Sequence, residues 1–153
     1  DYGTSWRVLR PISIIDQIYI KAKRIRTIQE TKKQMVQDNI SDEFKGIINY
    51  GAIGLIQLKF KSDAVEDLPV NEVSNQYDEQ VLHAKQLMMS KNHDYGEAWR
   101  DMSQEALVDM ILQKIFRMKQ ILKNDGQTII SEGLDANYMD IINYAVFALI
   151  LAE

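Results

Sequence analysis

Apolar residues recur every three or four positions over several stretches of the chain, and that spacing predicts helices. Residues 12–34 carry Ile14, Ile18, Ala22, Ile25 and Ile28 along one side, with Lys21, Lys23, Arg24 and Arg26 on the others. Residues 104–123 repeat the pattern through Leu107, Met110, Ile111, Ile115, Met118 and Leu122, and Asn124-Asp125-Gly126 supplies turn residues to close it. Helices are also expected from about Asp42 to Phe60 and from about Asp135 to Leu151. Both are nearly apolar after an Asn-Tyr pair, which places them at the centre of a bundle. Tyr77–Ser90 is helix-like through Val81, Ala84, Leu87 and Met88. Lys61–Asn75 has no period and reads as a surface crossover. No segment alternates cleanly as a strand would. The pattern predicts an all-α helical bundle, two long helices followed by three.

The pattern is also written twice. DYGTSWR at residues 1–7 returns as DYGEAWR at 94–100, an offset of 93 that also matches Asp16 with Asp109, Lys21 with Lys114 and Arg24 with Arg117. One residue later the register resumes, so that Ile47-Ile48-Asn49-Tyr50 matches Ile141-Ile142-Asn143-Tyr144. Two such copies suit one compact domain of approximate two-fold symmetry: residues 1–60 as copy one, 61–76 as linker, 77–153 as copy two. The helix before the second DYG has no counterpart before Asp1. Its match is expected upstream, and the sequence reads as a piece of a longer protein.

Composition narrows the chemistry. Hydrophobic residues at 46% and charged residues at 26% are ordinary for a globular domain. Without cysteine there is no disulfide framework and no thiolate nucleophile, which fits a cytoplasmic protein. The longest unbroken apolar runs, Ala145–Ala152 and Gly51–Ile56, are too short to cross a bilayer, so no membrane is expected. A net charge of −4 and a pI near 5.2 argue against a duplex-binding surface. A single nucleotide needs only a few local cations. No P-loop, dinucleotide fingerprint, zinc spacing or nucleophile–base pair is present.

Three groups of polar residues remain as candidates. Asp94-Tyr95-Gly96 with Trp99 and Arg100 stands at a helix exit, where Gly96 can take the left-handed conformation. Capping and packing explain Gly96 and Trp99, but not the repetition of Asp and Arg. Asp109, Lys114 and Arg117 form one flank of a helix, the two cations about 60° apart. Such a pair can receive phosphate oxygens, with the arginine fork bidentate; a plain ion-pair flank is the bland alternative. Glu132, Asp135, Asp140 and Asn143 gather at the start of the last helix, an oxygen-rich set of the kind Mg²⁺ accepts beside phosphates. Helix-start acids account for Asp135 alone. Asp140 matches Gly46, so the acidic set is intact in copy two and degraded in copy one.

HDYGEAW, the D…K..R helix and SEGLDANYMDIINYA resemble the nucleotide modification associated domain 1 family, whose members occur in bacteria and phages. The resemblance covers both copies and implies a link to modified nucleotides. A more distant similarity is to the all-α, MazG-like nucleoside triphosphate pyrophosphohydrolases, which hold Mg²⁺ with paired acidic motifs on helices. Here Glu132-x-x-Asp135 and Asp140-x-x-Asn143 look like such pairs, although they lie next to each other rather than on successive helices.

The resulting expectation is a nucleotide-binding protein acting as a Mg²⁺-dependent phosphohydrolase on a nucleoside phosphate. Glu132, Asp135 and Asp140 would hold the metal, and Lys114 and Arg117 the phosphate. Asp94 would orient them or a water, Tyr95 or Trp99 would stack on the base, and Arg100 and Asn143 would complete the site. The rivals are a non-catalytic nucleotide-binding or accessory module, and a purely structural helical protein. A homodimer is compatible with all three.

Overall fold

The computed structural model describes residues 3–35, 39–60, 68–124 and 130–153. Four of the helices begin or end on a residue suited to that place. Pro11 opens α1 (Pro11–Thr31), where its missing N–H costs nothing, and Lys32 closes it at a φ of 55°. Asn39 Oδ1 accepts from the Ser41 N–H at the start of α2 (Ile40–Phe60). α3 (Val70–Tyr95) follows Pro69 and ends at Gly96, whose φ of 61° suits a residue without Cβ. Ser103 caps α4 (Gln104–Lys123) by accepting from the Ala106 N–H at 3.1 Å. α5 (Ile130–Leu151) is last. Short 3-10 turns, Ser5–Val8 and Ala98–Asp101, precede α1 and α4.

These helices pack as the expected all-α bundle, with no strand among the described residues. α3 is longer than the pattern suggested: it begins at Val70, inside the stretch read as linker. Only Gln80 and Ala84 of α3 are buried, so its first turns carry no apolar stripe to read. Asp125 and Gly126, expected to close α4, lie outside the described residues.

α1 and α2 run antiparallel. Gln57 near the end of α2 donates to the carbonyls of Trp6, Arg7 and Leu9, while Arg24 near the end of α1 meets Glu43 at the start of α2. α1 also crosses α4 through two reciprocal ion pairs, Arg26 with Asp109 at 3.6 Å and Lys119 with Asp16 at 2.9 Å. Asp16 matches Asp109 and Arg26 matches Lys119 at the same offset of 93, so each pair restates the other with the copies exchanged.

α2 and α5 form the centre, as their apolar composition implied, and small residues let them approach. A Cβ at Gly51 would lie 2.7 Å from Ile142 Cγ1, and one at Gly54 would enter the fully buried ring of Tyr138. The matching positions on α5, Ala145 and Ala148, are also small and buried. The Tyr138 phenol is pushed well above its ordinary pKa by burial. By length and composition one helix among the described residues, Gly133–Leu151, is apolar enough to cross a membrane, although half of it is buried inside the bundle. Reading unbroken apolar runs missed it, because Asp135, Asn137, Asp140 and Asn143 interrupt the stretch without lowering its average enough.

Gly54→Ala should therefore lower stability by about 1–3 kcal/mol, since a rigid buried ring must move. Gly46→Ala should be neutral or stabilising: its Cβ meets only the flexible end of Lys21, and alanine favours helix by about 1 kcal/mol. Chemical denaturation of both variants checks this; equal effects would contradict the tight α2–α5 contact.

Candidate functional site

Asp140 faces inward from the middle of α5, and its side chain is only 13% exposed. A carboxylate so placed needs compensating charge. Two lysines supply it from different helices. Lys91 of α3 lies 2.8 Å from Oδ1, and Lys114 of α4 lies 3.1 Å from Oδ2. Asn143, one turn further on, is buried and donates to the Ala84 carbonyl at 3.0 Å, tying α3 to α5 a second time.

Asp140 also divides two cavities. On its α4 side a polar cleft of about 840 Å³ is bordered by Lys114, Arg117, Asn137, Arg26 and Asp109. Asp109 is engaged by Arg26. Arg117 is exposed and makes no ion pair among the described residues. On the other side, a smaller cavity of about 350 Å³ lies between α3, the second 3-10 turn and α5. Met88, Tyr95, Trp99, Tyr144 and Phe147 give it an aromatic and thioether wall. Lys91 borders the second cavity and Lys114 the first, so the Asp140 clasp is where a cationic face meets an aromatic one.

The expected site residues divide accordingly. Lys114, Arg117, Asp140, Asn143, Tyr95 and Trp99 are brought together around these two cavities. Tyr95 is exposed at a rim. Trp99 is not a free platform: Phe147 stacks on it at 4.2 Å, its Nε1 donates to Asn92, and the Arg100 guanidinium lies over the indole. Arg100 is further engaged by Glu97. Asp94 is exposed beside His93, 3.1 Å from its Nδ1, and borders neither cavity. Asp109, read with Lys114 and Arg117 as one flank, serves the α1–α4 ion pairs, which gives its repetition a structural reason.

Among the described residues, Asp135 and Asp140 do not converge as the expected Mg²⁺ ion requires. Asp135 and Asp140 are five positions apart, about 140° around the helix, so their carboxylates diverge. Asp135 Oδ1 accepts from the Ala136 N–H, and both oxygens of Asp140 face lysines. No group of three or more acidic, His or Cys side chains converges among the described residues. The Glu132 side chain lies outside them. A spacing of three puts residues on one face within each pair, but it does not bring Asp135 onto the face of Asp140.

Sequence reading missed Lys91 and Met88. Both lie on α3, in a stretch with no partner in copy one, so the repeat carried no signal about them. Asp140→Asn should cost about 1–3 kcal/mol, because two ammonium groups lose their shared anion. Lys91→Ala should cost under about 1 kcal/mol, since the lysine itself is half exposed and Lys114 remains on Asp140. Urea denaturation distinguishes them; a larger loss from Lys91→Ala would contradict the central role of Asp140.

No curated protein and no solved structure matches the chain. The nucleotide modification associated domain 1 description matches residues 1–58 and 91–151, two stretches that coincide with the DYG-led segments of the two copies. The distant MazG-like similarity gains no support from these comparisons. With more than half of its length covered, the chain belongs to the nucleotide modification associated domain 1 family.

Proposed function

We propose that the chain binds a nucleoside phosphate in copy two, as a nucleotide-recognition component of nucleotide modification. The observation that carries this reading is Arg117, a guanidinium with no ion pair among the described residues, beside Lys114 in a cleft that meets an aromatic cavity at Asp140. Arginine offers a planar fork for two phosphate oxygens. Lys114 and Lys91 each carry three donors, and the contacts to Asp140 leave others to face a ligand.

The base would lie on the other side of the clasp, against Met88, Tyr95 and Tyr144. Aromatic faces take any base, so this wall supports binding without dictating which base. Trp99 shapes the cavity from behind. Asp140 has a distinct role here: it holds two lysines in place and divides the phosphate side from the base side. Asp94 takes no part. Metal-assisted hydrolysis is not included, since the carboxylates it requires diverge and Asp140 is already neutralised by lysines.

Calorimetric titration with nucleosides and their mono-, di- and triphosphates tests the proposal. Arg117→Ala should weaken phosphate-bearing ligands by about 10-fold or more, the equivalent of one charge-assisted hydrogen bond of about 1.5–3 kcal/mol. It should leave nucleoside affinity unchanged, while Tyr144→Ala should weaken both classes. Equal phosphate affinity in Arg117→Ala and the unaltered protein would contradict the assignment, as would an absence of phosphate binding.

A further inference from the structure

The aromatic cavity of copy two has a counterpart that the proposed function does not use. Trp6, Leu9, Asn49, Tyr50 and Ile53 border a cavity of about 630 Å³ beside the first 3-10 turn and α2. Moved by 93 or 94 positions, these are Trp99, Met102, Asn143, Tyr144 and Phe147, which border the cavity beside Asp140. Five positions of the wall thus recur, with Ile53 in place of Phe147, while Met88 and Tyr95 have no counterpart among the described residues that border the copy-one cavity.

The cationic side does not recur unchanged. Lys21 and Arg24 match Lys114 and Arg117, yet both meet Glu43, at 3.8 and 3.3 Å, and that carboxylate is only 13% exposed. Glu43 matches Asn137, an uncharged amide that donates to the Gly133 carbonyl of its own helix. Asp140, in turn, matches Gly46, where a Cβ would lie 2.8 Å from Lys21 Cε. The lysine chain lies against the backbone where copy two carries its aspartate. Between the copies the carboxylate has moved by one helical turn, and the move places it on the arginine as well as the lysine.

We infer that Glu43 stands in for a ligand phosphate, and that copy one is a second site, open to an unphosphorylated nucleoside or base. A phosphate approaching Arg24 would have to displace two ion pairs and face a like charge at close range. An uncharged ligand meets neither obstacle. The ion cluster lies next to a wall of the cavity, with Lys21 Nζ 6.0 Å from the centre of the Tyr50 ring. One frame thus gives two specificities, decided at the position of Glu43 and Asn137. The inference rests on the nucleotide site proposed for copy two.

Calorimetric stoichiometry on the full chain, with the common nucleosides and their 5′-monophosphates as probes, tests it. The unaltered protein should take one monophosphate but two nucleosides per chain. Glu43→Gln should raise the monophosphate count to two. Asn137→Glu should abolish monophosphate binding and leave both nucleosides bound. Tyr50→Ala should remove one nucleoside and leave the monophosphate. A folded Glu43→Gln protein that still takes a single monophosphate overturns the inference while the copy-two site stands. So does an unaltered protein that takes only one nucleoside or already takes two monophosphates. If the unaltered protein takes no monophosphate, the copy-two site fails and the inference with it. Should Glu43→Gln not fold, Asn137→Glu decides alone: monophosphate binding kept in that variant refutes the role given to this position.

Discussion

A carboxylate held away from water in the middle of a helical bundle must find positive charge nearby, and in this protein that requirement falls on Asp140. Lysines from α3 and α4 meet it, one on each oxygen. Three helices are thereby joined at a single point, and Asn143 secures α3 again one turn away. The same arrangement separates a polar cleft from an aromatic cavity. Arg117, one turn beyond Lys114, stays outside the clasp, and no carboxylate among the described residues pairs with it. Placing one aspartate thus fixes both what is locked and what is left available.

The two copies differ in where that anion sits. The apolar frame, the lysine, the arginine and the Trp, Asn and Tyr of the cavity wall persist, while the carboxylate changes register by a turn from the Asp140 position to that of Glu43. In copy one the arginine is then ion-paired within the protein. Reciprocal ion pairs across α1 and α4 join the copies at matched positions. We propose that they are related by approximate two-fold symmetry and that function has divided between them.

Much of the fold was legible because α1, α2, α4 and α5 carry their cores at helical spacing. The start of α3 was not, because a helix that buries only Gln80 and Ala84 leaves almost no apolar period. The cations of the candidate site could be read from the repeat, which kept Lys114 and Arg117 with their counterparts. What each cation faces could not be read. Asp140 appears in the sequence as an acid among acids, and only packing shows it between Lys91 and Lys114. Trp99 shows the opposite error: its repetition marks a stacked, buried indole rather than an open platform for a base.

Hydrogen exchange of the full chain with a bound nucleoside monophosphate tests the central claim most directly, because it locates the ligand without altering any residue. Protection should concentrate at the end of α3, the second 3-10 turn, the Lys114–Arg117 stretch of α4 and the middle of α5, and leave α2 unchanged. Protection centred on α1 and the start of α2, or spread evenly over both copies, would contradict the claim that the clasp at Asp140 organises the phosphate-binding site.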